Sequence, residues 1–288
     1  MGIFCGKFEF KLRNISISQI INKYHIGKFL NGDFFLDPCE ALYLFLKGKI
    51  ESLNGNDLDF FLNNIFTDDI YIYIVYEILK NKGFYIKRNG NKFYYKKTKK
   101  SDYTNFVILK RETDIVSFEE LYNETPGIFI TLDEDHSITY HMTEHIDPMG
   151  MAENMPEKIC IKNAGSIYYS LNTPEWFGEK FYSLNILNNF ERRFVENKIM
   201  TPEEKLYADL IKRNFIVKSG FKYGEHFRIY SESMDMHAEY LIGLIDKEEW
   251  YKISRAVRLS VSVRKSMVFA GFINNEIKYI EMKRIKDI

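Results

Sequence analysis

The sequence predicts an α+β fold with mixed sheets, built as tandem duplicated units. Two observations carry this. The stretch YEILKNKGFYIKRNG at 76–90 returns as YADLIKRNFIVKSG at 207–220, an offset of about 131 to 135 residues in a chain of 288. Around both stretches the same elements recur in the same order: a segment with apolar residues near helical spacing, the matched helix and short strand, a glycine turn, an aromatic strand and a closing hairpin.

Along the chain, MGIFCGKFEFKLRN contains neither a secretory apolar core nor an 18-residue apolar span. EALYLFLKGKIE (40–51) predicts a helix. In the repeat, Tyr76, Leu79, Lys80, Phe84, Lys87 and Gly90 correspond to Tyr207, Leu210 or Ile211, Lys212, Phe215, Lys218 and Gly220. NKFYYKK (91–97) predicts a strand, and GIFITLDEDHSITYHM (127–142) a hairpin with a polar turn. DPMGMAENMPEK (147–158) carries Pro148, Gly150 and Pro156 without apolar periodicity and predicts a linker. The second half repeats the series: NILNNFERRFVENKI (185–199) as helix, EHFRIYS (225–231) as strand, EEWYKISRAVRLSVSVRKSMVFAGF (248–272) as a long helix entering a strand, and VFAGFINNEIKYIEM (268–282) as hairpin. The expected organisation is an N-terminal repeat over 1–150 with subdomains at about 1–85 and 86–148, a linker at about 149–156, and a C-terminal repeat over 157–288 with subdomains at about 157–218 and 219–288.

Composition narrows the function. Apolar residues make up 45% of the chain and aromatics 16%, enough for a sizeable core and against disorder. The formal net charge is zero, which excludes a uniformly basic nucleic-acid binder but leaves a local basic patch open. Cys5, Cys39 and Cys160 are far apart, so neither a disulfide framework nor a cysteine zinc site is expected. A reduced, cytoplasmic protein is the expectation, with no cofactor and no metal.

Chemistry concentrates in the second copy. In FRIYSESMDMHAEYLIGLI (227–245), Tyr230 closes one apolar run and His237 opens the next across a polar turn. Tyr95 matches Tyr230 in the first copy, but Asp102 stands where His237 would be, and SFEELYNETPGIFI (117–130) replaces the basic helix. Residues 251–288 hold nine Lys and Arg against three acids, a local excess suited to a polyanion. Tyrosine, histidine and lysine together suit RNA cleavage by the RNA's own 2′-hydroxyl. That reaction needs a base, an acid for the leaving 5′-oxygen, and positive charge for the phosphorane, and these side chains supply them without a metal. A phenol titrates near about 10, and cationic neighbours favour its phenolate. Histidine, near about 6.5, suits the acid role.

Three ordered motifs, GFKYGEHFRIY at 220–230, HAEYLI at 237–242 and SVRKSMVFA at 262–270, resemble the catalytic domain of archaeal tRNA-splicing endonucleases (tRNA-intron lyases). EALYLFLKGKIE is similar, more weakly, to the family's N-terminal domain, so the likeness covers nearly the whole chain. The resemblance implies a nuclease-like second subdomain and a triad of Tyr230 as general base, His237 as general acid and Lys265 as phosphorane stabiliser. It implies precursor tRNA with a bulge-helix-bulge as substrate, and 2′,3′-cyclic phosphate and 5′-hydroxyl ends as products. It further implies RNA contacts by Arg258, Arg264 and, in the last strand, Arg284 as the better match with Lys283 as the alternative, a flipped bulge base being held between cationic or aromatic side chains. A chain with one degenerate and one intact copy resembles the family's double-length homodimeric type. There, Asp133, Glu134 and Asp135 would form an acidic loop docking on a partner copy. The turn SESMDM is short for the family and carries Glu232 and Asp235.

Two other readings stay open at the level of sequence. EIK (276–278) and EMK (281–283) fit half of a metal-dependent restriction-type site, and His136, His141 and His145 with Glu144 could gather a metal. Alternatively, the chain is a non-catalytic RNA-binding or structural subunit of a splicing endonuclease.

Overall fold

Short strands and helices alternate along the chain. The computed structural model describes residues 2–53, 55, 57–156 and 158–288. Glu157, the expected first residue of the C-terminal repeat, lies outside them. The first half contains β1 (Ile3–Cys5), β2 (Phe8–Leu12), α1 (Ile17–Gln19) running into a π-helical turn at Ile20–Tyr24, β3 (Lys28–Leu30), β4 (Asp33–Phe35), α2 (Pro38–Leu46), β5 (Ile50–Ser52) and α3 (Leu58–Asn64). It continues with α4 (Ile70–Asn81), β6 (Tyr85–Asn89), β7 (Lys92–Lys96), β8 (Asn105–Arg111), β9 (Ile115–Ser117), α5 (Phe118–Asn123), β10 (Gly127–Leu132) and β11 (Ile138–Ile146). The second half contains β12 (Ile161–Ala164), β13 (Ile167–Ser170), β14 (Glu179–Phe181), β15 (Leu184–Leu187), α6 (Asn189–Val195), α7 (Pro202–Lys212), β16 (Ile216–Ser219) and a 3₁₀ turn at Phe221–Tyr223. It ends with β17 (Phe227–Tyr230), β18 (Tyr240–Leu244), β19 (Lys247–Glu249), α8 (Trp250–Ser262), β20 (Ser266–Ile273) and β21 (Glu276–Ile285). The succession from α4 to β11 is thus repeated from α7 to β21, with the 3₁₀ turn at Phe221–Tyr223 added.

One compact unit comprises Met1–Lys110 with Glu134–Ile138, the other Arg111–Asp133 with Thr139–Ile288. In the first, a five-stranded sheet has the order β3-β4-β1-β2-β5, and β6, β7 and β8 form an antiparallel meander. Helix α2 starts where Asp37 and Glu40 form a capping box, with Pro38 in the first turn. It is shorter than the expected 40–51. Gly48 adopts φ +64 beyond the last turn, and the chain leaves to pair Ile50–Ser52 with β2.

In the second unit β12-β13-β15-β14 form one sheet, and β16-β17-β18-β20-β21-β11-β10 follow one another in another. The expected helix over 185–199 is again only partly helical. Leu184–Leu187 pair with β13 and β14, Asn188 caps α6 with Glu191, and Asn197 ends the segment at φ +54. The core collects Leu206, Tyr207 and Leu210 from α7, Phe215, Val217, Phe227 and Ile229 from the first strands, and Val268, Ala270 and Tyr279 from the last hairpin. Buried side chains recur on α8 at Trp250, Ile253, Val257 and Ser260, a helical stripe that leaves Arg255 and Arg258 on its outer face. Its N-terminus has no side-chain cap. Instead Trp250 and Tyr251 donate their N–H groups to the carbonyls of Asp114 and Glu112, at 2.8 and 2.9 Å. β18 and β20 are parallel, so α8 is the crossover between them.

The expected linker is docked along much of its length. Gly150 and Ala152 donate to the carbonyls of Arg213 and Asn214, and Met151 donates to Ser231. No helix among the described residues is long and apolar enough to cross a membrane.

Candidate active site

Tyr230 is the last residue of β17. Ile216 of β16 is its cross-strand partner, and it sits in a small buried cluster with Ala152, Ile216 and Ala238, against which Trp176 packs. It is 9% exposed. Arg228, two residues earlier on the same face of the strand, places its guanidinium 5.9 Å from the Tyr230 ring centroid. Arg228 Nε is buried and has no hydrogen-bond partner.

His237 lies in the loop that follows, exposed and three residues before β18 begins. It stands on the loop rather than at the end of a strand. Polar turn residues interrupt the strand after Tyr230, and the loop bonds internally: Asp235 N–H donates to Ser233 Oγ at 3.1 Å, and Ser231 Oγ donates to Glu239. The loop's far end is stapled to its strands, because Glu239 N–H donates to the Ile229 carbonyl and Ser266 N–H to that of Glu239. Glu232 and Asp235 are exposed on this loop.

Lys265 comes from the exit of α8. Val263 caps the helix, Arg264 turns the chain in the left-handed region at φ +56, and Lys265 N–H donates back to the Ser260 carbonyl at 2.9 Å. This reversal aims the side chain at the His237 loop. Lys265 Nζ donates to the Ala238 carbonyl at 2.9 Å and lies 5.9 Å from the Tyr223 ring centroid. Ala238 therefore links the three: it follows His237, shares the Tyr230 cluster, and accepts from Lys265.

The expected RNA contacts separate into two faces. Arg258 is exposed on α8, and Arg264 is exposed at its exit. Arg284 and Lys283 are both exposed on β21. Arg284 is cross-strand partner to His141, whose Nε2 lies 3.2 Å from Ser254 Oγ on α8, one helical turn before Arg258. Lys283 points the other way and pairs with Glu281 at 2.9 Å and Glu144 at 3.7 Å. His141 is buried edge-on against Trp250, and burial, aided by the Arg284 charge, holds it down to about 4. Nearby, Glu225 sits in a cleft of about 390 Å³ with Arg255, Leu259 and Phe269. Burial raises its carboxyl to about 7, against the opposing pull of Arg255.

The features read as metal-binding in the sequence are dispersed. Glu276 pairs with Lys278, and Glu281 with Lys283. His136 rests beside the Tyr71 ring, and His145 Nε2 lies 2.7 Å from the Thr125 carbonyl. Among the described residues no three His, Cys, Asp or Glu side chains are grouped to hold an ion. On the acidic turn, Asp133 is half-buried while Glu134 and Asp135 are exposed.

Sequence reasoning missed Ala152, Trp176, Arg228 and Ala238 as neighbours of the site. Arg228 stood inside a quoted motif. The alanines act through small size and backbone, which carry no side-chain signal.

Residues 201–279 match the family described as tRNA intron endonuclease, catalytic C-terminal domain. That span runs from the N-cap of α7 into β21 and includes Tyr230, His237, Arg258 and Lys265. A tRNA-splicing endonuclease of Picrophilus torridus is 39% identical over 98% of this chain and 96% of its own. The chain belongs to the tRNA-splicing endonuclease family. The Thermoplasma volcanium tRNA-splicing endonuclease is 35% identical over 94% of this chain and 93% of its own, and that of Methanosarcina acetivorans 25% identical over 94% and 95%. Membership in the tRNA-splicing endonucleases thus extends through both halves of the chain, including the half that lacks the histidine and the basic helix.

Proposed function

We propose that this chain is an endoribonuclease that excises introns from precursor tRNA at bulge-helix-bulge sites, with no metal in the chemical step. Tyr230 Oη takes the proton of the 2′-hydroxyl, and the 2′-oxygen attacks the adjacent phosphorus. His237 donates a proton to the 5′-oxygen as its bond to phosphorus breaks, leaving a 2′,3′-cyclic phosphate and a 5′-hydroxyl. Lys265 neutralises the extra negative charge on the phosphorane. The observation that carries this reading is the convergence on Ala238 of the Tyr230 cluster, the His237 loop and the Lys265 ammonium.

A flipped bulge base would be held between Arg258 and Arg284. Arg284 is favoured over Lys283 because it shares the His141 and Ser254 side of the sheet, whereas Lys283 is held by two glutamates. The repeated element order supports a degenerate copy over 1–150 and a catalytic copy over 157–288. Two such chains would form a homodimer with four copies, working in the cytoplasm where precursor tRNA is processed. The test is cleavage of a precursor tRNA in excess EDTA, followed by end-group analysis. Cyclic phosphate and 5′-hydroxyl ends are expected. Strict dependence of cleavage on a divalent ion, once the RNA is folded, would overturn the mechanism.

A further inference from the structure

The first unit contains a cleft of about 900 Å³ that the reading above does not use. Its floor is an aromatic stack, His25 on Tyr85, with ring centroids 4.0 Å apart and planes at 19°. Three features build that stack. His25 ends a π-helical turn and adopts the left-handed region at φ +56, a conformation costly for a side chain of this size and enriched at binding sites. The buried Lys80 ammonium donates to the His25 carbonyl at 3.2 Å and to the Phe84 carbonyl at 3.1 Å, so one cation ties together the two backbones that carry the stacked rings. His25 Nδ1 lies 3.2 Å from the Ile21 carbonyl, which fixes the proton there and leaves Nε2 an acceptor.

The cleft's rim is cationic. Lys87 and Lys96 stand 4.5 and 4.7 Å from the Tyr103 ring centroid. Lys28, Lys87 and Lys99 line the cleft, are exposed, and make no ion pair among the described residues. The two acids present are occupied: Asp37 and Glu40 cap α2. Two polar atoms of lining residues, Tyr76 Oη and Arg88 Nε, are buried without a partner. From 85 to 103 the chain carries seven Lys and Arg and one acid, interleaved with five aromatics. Aromatic faces beside unpaired cations are what a single-stranded nucleic acid requires, since bases stack and phosphates pair.

We propose that this cleft binds an unpaired nucleotide of the RNA substrate, its base extending the His25–Tyr85 stack and its flanking phosphates meeting Lys28, Lys87 and Lys99. The identification of that RNA as precursor tRNA rests on the proposed function, whereas the binding chemistry does not. The chain would then grip its substrate at a second place, in the copy without the catalytic set.

The test is fluorescence anisotropy of the full chain with a labelled single-stranded RNA hexamer, over a salt series, with AMP titrated separately. The double variant Lys87→Glu/Lys99→Glu should weaken hexamer binding at least about tenfold and flatten the log–log salt slope by about 1.4, the single-strand value for two lost phosphate contacts. His25→Ala should weaken it by about tenfold, while Tyr85→Phe, which keeps the ring, should bind as the wild type does. The lysine variant should need a higher precursor tRNA concentration to reach half its maximal cleavage rate. Hexamer binding indifferent to all these changes would overturn the proposal, as would saturable AMP binding without hexamer binding. The two readings fail separately. A wild-type chain that binds the hexamer through these residues but does not cut removes only the proposed function.

Discussion

Lys265 and Ala238 are joined by a hydrogen bond of 2.9 Å from the side-chain ammonium to the backbone carbonyl. The bond connects the exit of α8 to the residue after His237, so the proposed electrostatic group and the proposed acid are positioned by one contact. Lys265→Ala should therefore lower single-turnover cleavage by about 10²- to 10³-fold, the range for losing a group aimed at developing charge. It should also release the 231–239 loop, read as faster amide exchange there. A cleaving Lys265→Ala protein with wild-type rates would remove this residue from the mechanism.

His237→Ala should reduce the cleavage rate by about 10²- to 10⁴-fold with RNA affinity changing far less, because the side chain is exposed and supports no core. Tyr95→Phe offers the matched control in the first copy and should leave the rate unchanged. The measurement is single-turnover cleavage beside a filter-binding isotherm. Equal losses in both assays would show that His237 serves binding alone.

Glu225 gives a pH-dependent signature. Partial burial pushes its carboxyl up to about 7 from an ordinary value of 4.5. The folded state holds that proton more tightly than the unfolded state. Its contribution to stability is complete below about 4.5 and is lost as the pH rises through about 7. Glu225→Gln should flatten the fall in Tm between pH 5 and pH 8, a window set by those two values. Parallel Tm profiles for the two proteins would refute the assignment.

Much of this architecture was legible in the residues. The repeat at 76–90 and 207–220 announced a duplicated series, and the matched helices α4 and α7, the closing hairpins and the aromatic strands stand where the residue pattern put them. Two helices were drawn too long because local signals cut them: Gly48 after α2, and the Asn188 cap and Asn197 on either side of α6. His237 was expected at a strand end, whereas hydrogen bonds among Ser231, Ser233, Asp235 and Glu239 hold it in a loop. The motif match favoured Arg284 over Lys283 only loosely, because turn length varies, and the proposed preference rests on more than that match. It depends on which strand face meets α8, a matter of register with β11 that spacing alone does not contain. The His25–Tyr85 cleft was hidden for the same reason, since its two rings lie sixty residues apart.

If the chain assembles as the proposed homodimer, the acidic turn would bear on that assembly. Glu134 and Asp135 are exposed, and Asp133 beside them is half-buried. Three adjacent acids repel unless solvent or cations meet them. In a homodimer the partner's basic C-terminal copy, nine cations against three acids over 251–288, is the complementary surface. Exposed ion pairs contribute only about 0–1 kcal/mol each, so assembly should weaken rather than vanish when they are lost. Replacing all three by serine should raise the dimer dissociation constant, more visibly at low salt, because high salt already screens these contacts in the unsubstituted protein. Because Asp133 is partly buried, Glu134→Ser/Asp135→Ser serves as the companion variant that leaves it in place. Cleavage should fall in step with dimer content if, as proposed, the substrate's two bulges are met by two catalytic copies in fixed relation. Sedimentation velocity at low micromolar protein, alongside cleavage of the same samples, makes the comparison. Variants that stay dimeric and cut normally would make the turn a solvated loop with no part in assembly.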